Sequence, residues 1–183
     1  RSRIISDQEK LIVAYHEAGH ALVMKMLPFS DPVHKISIVS RGMALGYTMP
    51  LPEEDHLLYG RNKFLDELAG LLGGRVAAEI QFGDVTNGAM GDIRQATSIA
   101  RTMVCAWGMS EKLGMIEYSE PEGAVFLARD LTRSRSYSEV TAQRIDEEVK
   151  RLIDGAYAKA RDVILAHKDK LDIYDDIEKL EKE

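Results

Sequence analysis

The sequence predicts a mainly α domain with one small β hairpin or sheet, and three observations lead there. Apolar residues recur at threes and fours over four long stretches, the period of a helix with one buried face. Start and stop signals bracket those stretches. Only one short region, between His34 and Met49, alternates apolar with polar instead.

The first helix opens at Ser6 with Glu9 three positions on, a capping box in which each side chain satisfies a backbone donor of the first turn. Leu11, Ile12, Tyr15, Leu22, Val23 and Met26 carry its apolar face, and Pro28 ends it because proline can neither donate nor fit inside a helix. Ile36 and Ile38 then face one way and Lys35 and Ser37 the other; a turn at Gly42 returns the chain through Ala44 to Met49. LPEEDH is a loop. From Asn62, NKFLDELAGLLGGRVAAEI reads as a helix that carries Gly70, Gly73 and Gly74. Glycine weakens a helix, so three of them predict that another element, the first helix, passes close by. The loop QFGDVTNGAMG leads into a helix over DIRQATSIARTMVCAWG, closed by Gly108. Residues 109–135 look irregular, and Ser138 opens a long helix with Ile145, Val149, Leu152, Ile153, Ala156, Ala160, Val163 and Ile164 on one side. The charged tail, residues 168–183, is expected to fray.

The 183 residues fit a single domain, and 45% hydrophobic content suffices for a core. A net charge of −6 with no Lys/Arg cluster argues against a nucleic-acid surface. One cysteine, Cys105, excludes an internal disulfide. No apolar run is long enough for a membrane span, and no GxxxxGKS or GxxxxGKT loop offers a nucleotide site. The chain begins at Arg1 without methionine, which suggests a piece of something longer.

The chemistry lies in YHEAGHALVMKML, residues 15–27. Residues four apart share a helix face, so His16 and His20 stand one above the other with Glu17 beside them. This is HExxH: two imidazoles for a divalent ion and a carboxylate to take a proton from the attacking water. A bland alternative exists, two hydrogen-bonded core histidines and a solvated glutamate, so a third ligand decides. The continuation HExxHxxGxxH is absent, because Val23 and Met26 occupy its Gly and His positions. Glu67, Glu79, Asp84 and Asp92, with His34 and His56 as outsiders, remain open on the residues alone; Asp92 could equally cap a helix.

YHEAGHA, LLGGR followed by AAEI, TNGAMGDIRQAT, WGMSEKLG and TAQRIDEEVKRLIDGAYAKAR occur in the order found in the FtsH-type ATP-dependent zinc metalloproteases, and the chain resembles their peptidase domain from about Ile5 to His167. The resemblance implies a helical zinc-metallopeptidase domain, 1–183, at the C-terminal end of a longer AAA+ protease. It implies Zn2+ held by His16, His20 and Asp92, with Glu17 as general base. It further implies a membrane anchor and an ATPase module upstream, the latter using ATP and Mg2+. A homo-hexamer would degrade unfolded or membrane proteins, with this domain on the cytoplasmic, matrix or stromal side. Ala78 departs from the paired glutamates usual at that point of the family, leaving Glu79 as the candidate to orient a ligand. Asn87, Met90 and Gly91 also differ from the commoner residues there.

Two other readings compete: an inactive relative that keeps the fold as a scaffold, and a free-standing metallopeptidase. For a protease of broad sequence range, an exposed strand edge is the natural substrate dock, since it pairs with backbone rather than side chains. That places the substrate along Ala44, Leu45, Gly46 and Tyr47, with Gly46 leaving the approach clear.

Overall fold

The computed structural model describes residues 5–38, 46–118 and 136–172. In chain order the elements are α1 (Asp7–Met26), β1 (Val33–Ser37), β2 (Tyr47–Pro50), α2 (Arg61–Phe82), α3 (Met90–Cys105) and α4 (Glu139–Ala166). Each of the four predicted helices is present. Ser6 accepts from the Glu9 amide while the Glu9 carboxylate accepts from the Ser6 amide, so the capping box of α1 is formed. Ser138 likewise caps α4 by accepting from the Thr141 amide.

Helix α2 is the hub, packed against α1, α3 and α4. Its contact with α1 is backbone to backbone. A Cβ at Gly19 would lie 2.5 Å from the Gly73 carbonyl oxygen and from Ala77 Cβ, and a Cβ at Gly73 would lie 2.9 Å from the Gly19 carbonyl oxygen. The expectation that the glycines of α2 receive the first helix therefore holds, and α1 rests on them deeply enough for Val23, Leu68, Ala69 and Ala77 to be fully buried. From the other side α4 closes the core with Ile145, Leu152, Ala156, Ala160 and Ile164, each large aliphatic contributing roughly 1.5–3 kcal/mol of burial.

The β element is a two-stranded antiparallel sheet in which Ile36 faces Thr48 and Ser37 faces Tyr47, with an irregularity between Val33 and Lys35. Ile36 is half-buried but Ile38 is exposed, so the alternation read from the sequence covers the sheet only in part. The predicted turn at Gly42 lies outside the described residues, as do Ala44 and Leu45.

The tail departs from expectation. Residues 168–172 are helical, Leu171 is buried in the core, and Tyr15 donates to Asp172 Oδ1 at 3.2 Å. Leu171 gives this segment an apolar anchor, which the charged composition around it conceals. The remaining tail residues lie outside the described ones.

Candidate active site

His16 and His20 project from one face of α1 toward α2, with ring centroids 4.6 Å apart and planes at 85°. They fit there because position 74 has no side chain: a Cβ on Gly74 would lie 2.5 Å from His20 Nε2 and 2.8 Å from His16 Nε2. His20 Nδ1 lies 2.7 Å from the Gly70 carbonyl oxygen. A carbonyl can only accept, so Nδ1 carries the proton and, in the neutral ring, Nε2 presents a lone pair to the site.

The third group comes from the start of α3. Thr86 accepts from the Gly88 amide and begins a 3-10 turn over Asn87–Ala89 that feeds directly into the helix. Asp92 is in the first turn of α3, but the helix is capped at Ala89 without a side-chain bond. The Asp92 carboxylate is turned instead to the imidazoles, with Oδ2 at 3.0 Å from His16 Nε2 and 3.2 Å from His20 Nε2. The two Nε2 atoms are 3.0 Å apart. Burial alone would raise the Asp92 pKa, but the facing imidazoles hold it well below the usual carboxylate range. Burial lowers the His20 pKa, and its hydrogen bond and attraction to Asp92 outweigh that and raise it.

Three donor atoms with edges of 3.0–3.2 Å form a triangle close to one face of a tetrahedron. Metal–ligand bonds of roughly 2.0–2.2 Å to histidine nitrogen and carboxylate oxygen give edges of about 3.3–3.6 Å. The residues present therefore fit a zinc-type ion with little adjustment, and their chemistry, two imidazoles and a carboxylate, is that of a catalytic rather than a closed structural site.

Glu17 is buried beside this triangle. It lines a cleft of about 570 Å3 together with His16, His20, Asp92, Gly46 and Thr48. Thr48, on β2, lies with its hydroxyl 2.7 Å from Glu17 Oε2 and 2.9 Å from the Glu17 carbonyl oxygen. A second hollow, about 240 Å3, adjoins the same triangle and is walled by Met24, Leu71, Lys63 and Glu67.

The other residues singled out from the sequence stand elsewhere. Glu67 belongs to the second hollow and not to the triangle. Asp84 accepts from the next amide, Val85, in an exposed loop. His34 is exposed on β1, and His56 is exposed with Glu54 3.9 Å away. Glu79 does not reach the histidines: its Oε1 accepts from Tyr157 Oη at 3.2 Å. Five residues beyond Gly74 is about 140° around the helix at 3.6 residues per turn, which turns Glu79 toward α4. The hydrogen-bond partner of His20 is instead the Gly70 carbonyl, an atom every residue possesses and no motif can mark. Gly46 also has another reason for being glycine. A Cβ there would lie 2.8 Å from Val13 Cγ1, 2.9 Å from the Ser37 carbonyl oxygen and 3.0 Å from Glu17 Cγ, so the bare backbone is required by both α1 and β1.

A helical domain whose HExxH helix meets a distant carboxylate over an open cleft defines the class of HExxH metallopeptidases. Within that class the chain belongs to peptidase family M41, which it matches over residues 3–183. It is 53% identical over 173 residues to the ATP-dependent zinc metalloprotease FtsH of Thermotoga maritima, covering 94% of this chain and 28% of that protein. It is 52% identical over 172 residues to the ATP-dependent zinc metalloprotease FtsH 2 of Methylacidiphilum infernorum, covering 94% and 27%. With the ATP-dependent zinc metalloprotease FtsH 3 of Symbiobacterium thermophilum the identity is 51% over all 183 residues, 29% of that protein. The chain thus spans less than a third of the length of these relatives. No helix among the described residues is long and apolar enough to cross a membrane.

Proposed function

We propose that this domain is a zinc-dependent endopeptidase in which His16, His20 and Asp92 hold the ion and Glu17 is the general base. The observation that carries this reading is the triangle of Nε2, Nε2 and Oδ2 at 3.0–3.2 Å with the Glu17 carboxylate in the same cleft. Bound zinc supplies a Lewis acid for the scissile carbonyl and lowers the pKa of water toward about 7. Glu17 takes the proton of the attacking water on its carboxylate and passes it to the leaving amine, so one group serves as base and then acid. The Gly70 carbonyl fixes the His20 tautomer, and Gly74 leaves room for both rings.

The substrate lies extended along the cleft edge of β2. β2 pairs with β1 on one side, while Gly46, Tyr47 and Thr48 line the cleft; backbone pairing there asks little of the substrate's sequence. Ala44 and Leu45, expected from the sequence to share this dock, lie outside the described residues. Peptides N-methylated at the amides that pair with the strand should show a KM raised by about 10-fold or more at unchanged zinc content. Unchanged KM with every such peptide would remove the strand dock.

The family resemblance and the greater length of the relatives support a larger assembly around this domain. The whole protein is a membrane-anchored, ATP-dependent homo-hexamer that unfolds protein substrates upstream and feeds them to this site. The test pairs metal analysis with hydrolysis. The zinc-loaded domain should bind about one ion and cut an unstructured peptide or casein, lose both properties to a chelator, and spare the folded form of a protein whose unfolded form it cuts. An ion that binds elsewhere, with His16, His20 and Asp92 dispensable, would overturn the site; equal cleavage of folded and unfolded substrate would overturn the need for an attached ATPase.

A further inference from the structure

Strand β2 and the residue that leads into it, Gly46, meet Glu17 at two points. Gly46 approaches Glu17 so closely that a Cβ would meet its Cγ at 3.0 Å. Thr48 reaches the same residue with its hydroxyl, 2.7 Å from Oε2 and 2.9 Å from the main-chain oxygen. A threonine hydroxyl has one proton and cannot donate to both. The Glu17 carbonyl lies inside α1, where helical geometry already supplies the amide of Ala21. The carboxylate is charged, the nearer acceptor, and forms the stronger bond.

We propose that Thr48 is the positioning residue for the general base: its hydroxyl donates to Glu17 Oε2 and so turns Oε1 toward the water. The inference rests on the reading of Glu17 as base and goes beyond it, because it assigns the orientation of that base to the strand that forms the cleft wall. Threonine suits the task because its β-branched side chain has few χ1 states to choose from. Thr48 also stands where the two hollows beside the triangle meet, since it lines both. The same strand therefore borders the substrate and aims the base, and a substrate that docks in the wrong register disturbs both.

The test uses the zinc-loaded protein and a short unstructured peptide, so that docking and chemistry separate as KM and kcat. Thr48→Val keeps the shape and removes the donor. It should lower kcat by about 10- to 100-fold, the usual cost of losing a group that orients a catalytic one. KM should stay within about twofold, and zinc content should be unchanged. Thr48→Ser keeps the donor and should recover most of that loss. In a Glu17→Gln background, Thr48→Val should cost nothing further, because the group it positions is no longer a base. Wild-type kcat in Thr48→Val would overturn the proposal, as would a Thr48→Ser variant as slow as Thr48→Val, or the full loss persisting in the Glu17→Gln background. Thr48→Ala takes the place of Thr48→Val if the latter does not fold. Full kcat in Glu17→Gln with Thr48 intact would instead defeat the reading of Glu17 as base, a separate outcome.

Discussion

Two clusters in this domain each remove a carboxylate from most of its solvent, and they do it in opposite ways. At one, Glu148 of α4 is buried with a bidentate arginine: Arg151 Nε donates to Oε1 at 3.0 Å and Nη2 to Oε2 at 2.9 Å. The Ser110 hydroxyl donates to Oε2 at 2.7 Å, and Lys112 Nζ lies 3.8 Å from Oε1. At the other, Asp92 faces two imidazoles whose nitrogens converge with its own oxygen on one point. Arginine is always charged, so the Glu148 cluster balances itself and needs nothing from outside. Neutral imidazoles offer lone pairs, and together with Asp92 they form a set of donors that could hold a metal ion. Burial with internal cations marks a structural clasp; convergence of donors beside an open cleft marks a binding site.

Substitutions can break this contrast, and the largest effect is expected at Glu17. Glu17→Gln should lower kcat by about 10²- to 10⁴-fold while zinc stays near stoichiometric; loss of zinc alongside activity would make Glu17 a ligand. Next comes Asp92→Ala, which should lose both bound zinc and activity. Its thermal stability should stop responding to added zinc, since stabilisation by a ligand follows from its binding to the folded state. Glu79→Ala should retain wild-type zinc, because Glu79 bonds Tyr157 and not the histidines. Metal titration of the two variants decides between these assignments.

The clasp should respond in the other currency of measurement, stability without activity. Glu148→Gln leaves Arg151 and Ser110 without their charged acceptor, which should cost about 1–3 kcal/mol in denaturant unfolding, with zinc content and kcat unchanged. A fall in zinc content would show that the clusters are not independent. The smallest effect is its pH dependence. The hydrogen bond from Arg151, opposed by burial, holds the Glu148 pKa below its ordinary value of 4.5. A depressed folded pKa means that the stabilisation is complete above about pH 4.5 and is lost as pH falls through the folded value. The stability gap between wild type and Glu148→Gln should therefore narrow in acid, and a gap that stays constant from neutral pH down to about pH 3 would reject this account.

The two clusters were not equally legible. WGMSEKLG stood out in the sequence as a distinctive motif, but its role was not readable there. In the fold, Gly108 and Gly114 take φ of +59° and +70°, a backbone that favours glycine, and between them Ser110 is buried against Glu148. Ser110 and Glu148 are 38 positions apart, a separation over which no periodicity speaks. HExxH was legible because its geometry is local: two residues four apart on a helix meet whatever the rest of the chain does. The glycines of α2 were legible in part. Their cost to a helix announced a close neighbour, but not that Gly74 in particular would make room for both imidazoles.

By itself the sequence determined the helices, the Ser6 and Ser138 caps, the pairing of His16 with His20 and the presence of Glu17 beside them, all consequences of bonds and contacts within a few residues; α3 ends at Cys105, short of the expected stop at Gly108. The sequence also left Asp92 as one acidic candidate among several, separated from the rest only by resemblance to a family. The tertiary structure decided which backbone carbonyl orients His20, which hydroxyl reaches Glu17, and that Glu79 faces α4. These partners belong to other elements, and the crossing of α1 over α2 and the docking of β2 on α1 bring them into reach. Backbone carbonyls and lone hydroxyls have no sequence signature, because their chemistry is available at many positions and acquires a role only where packing brings a partner within hydrogen-bond distance.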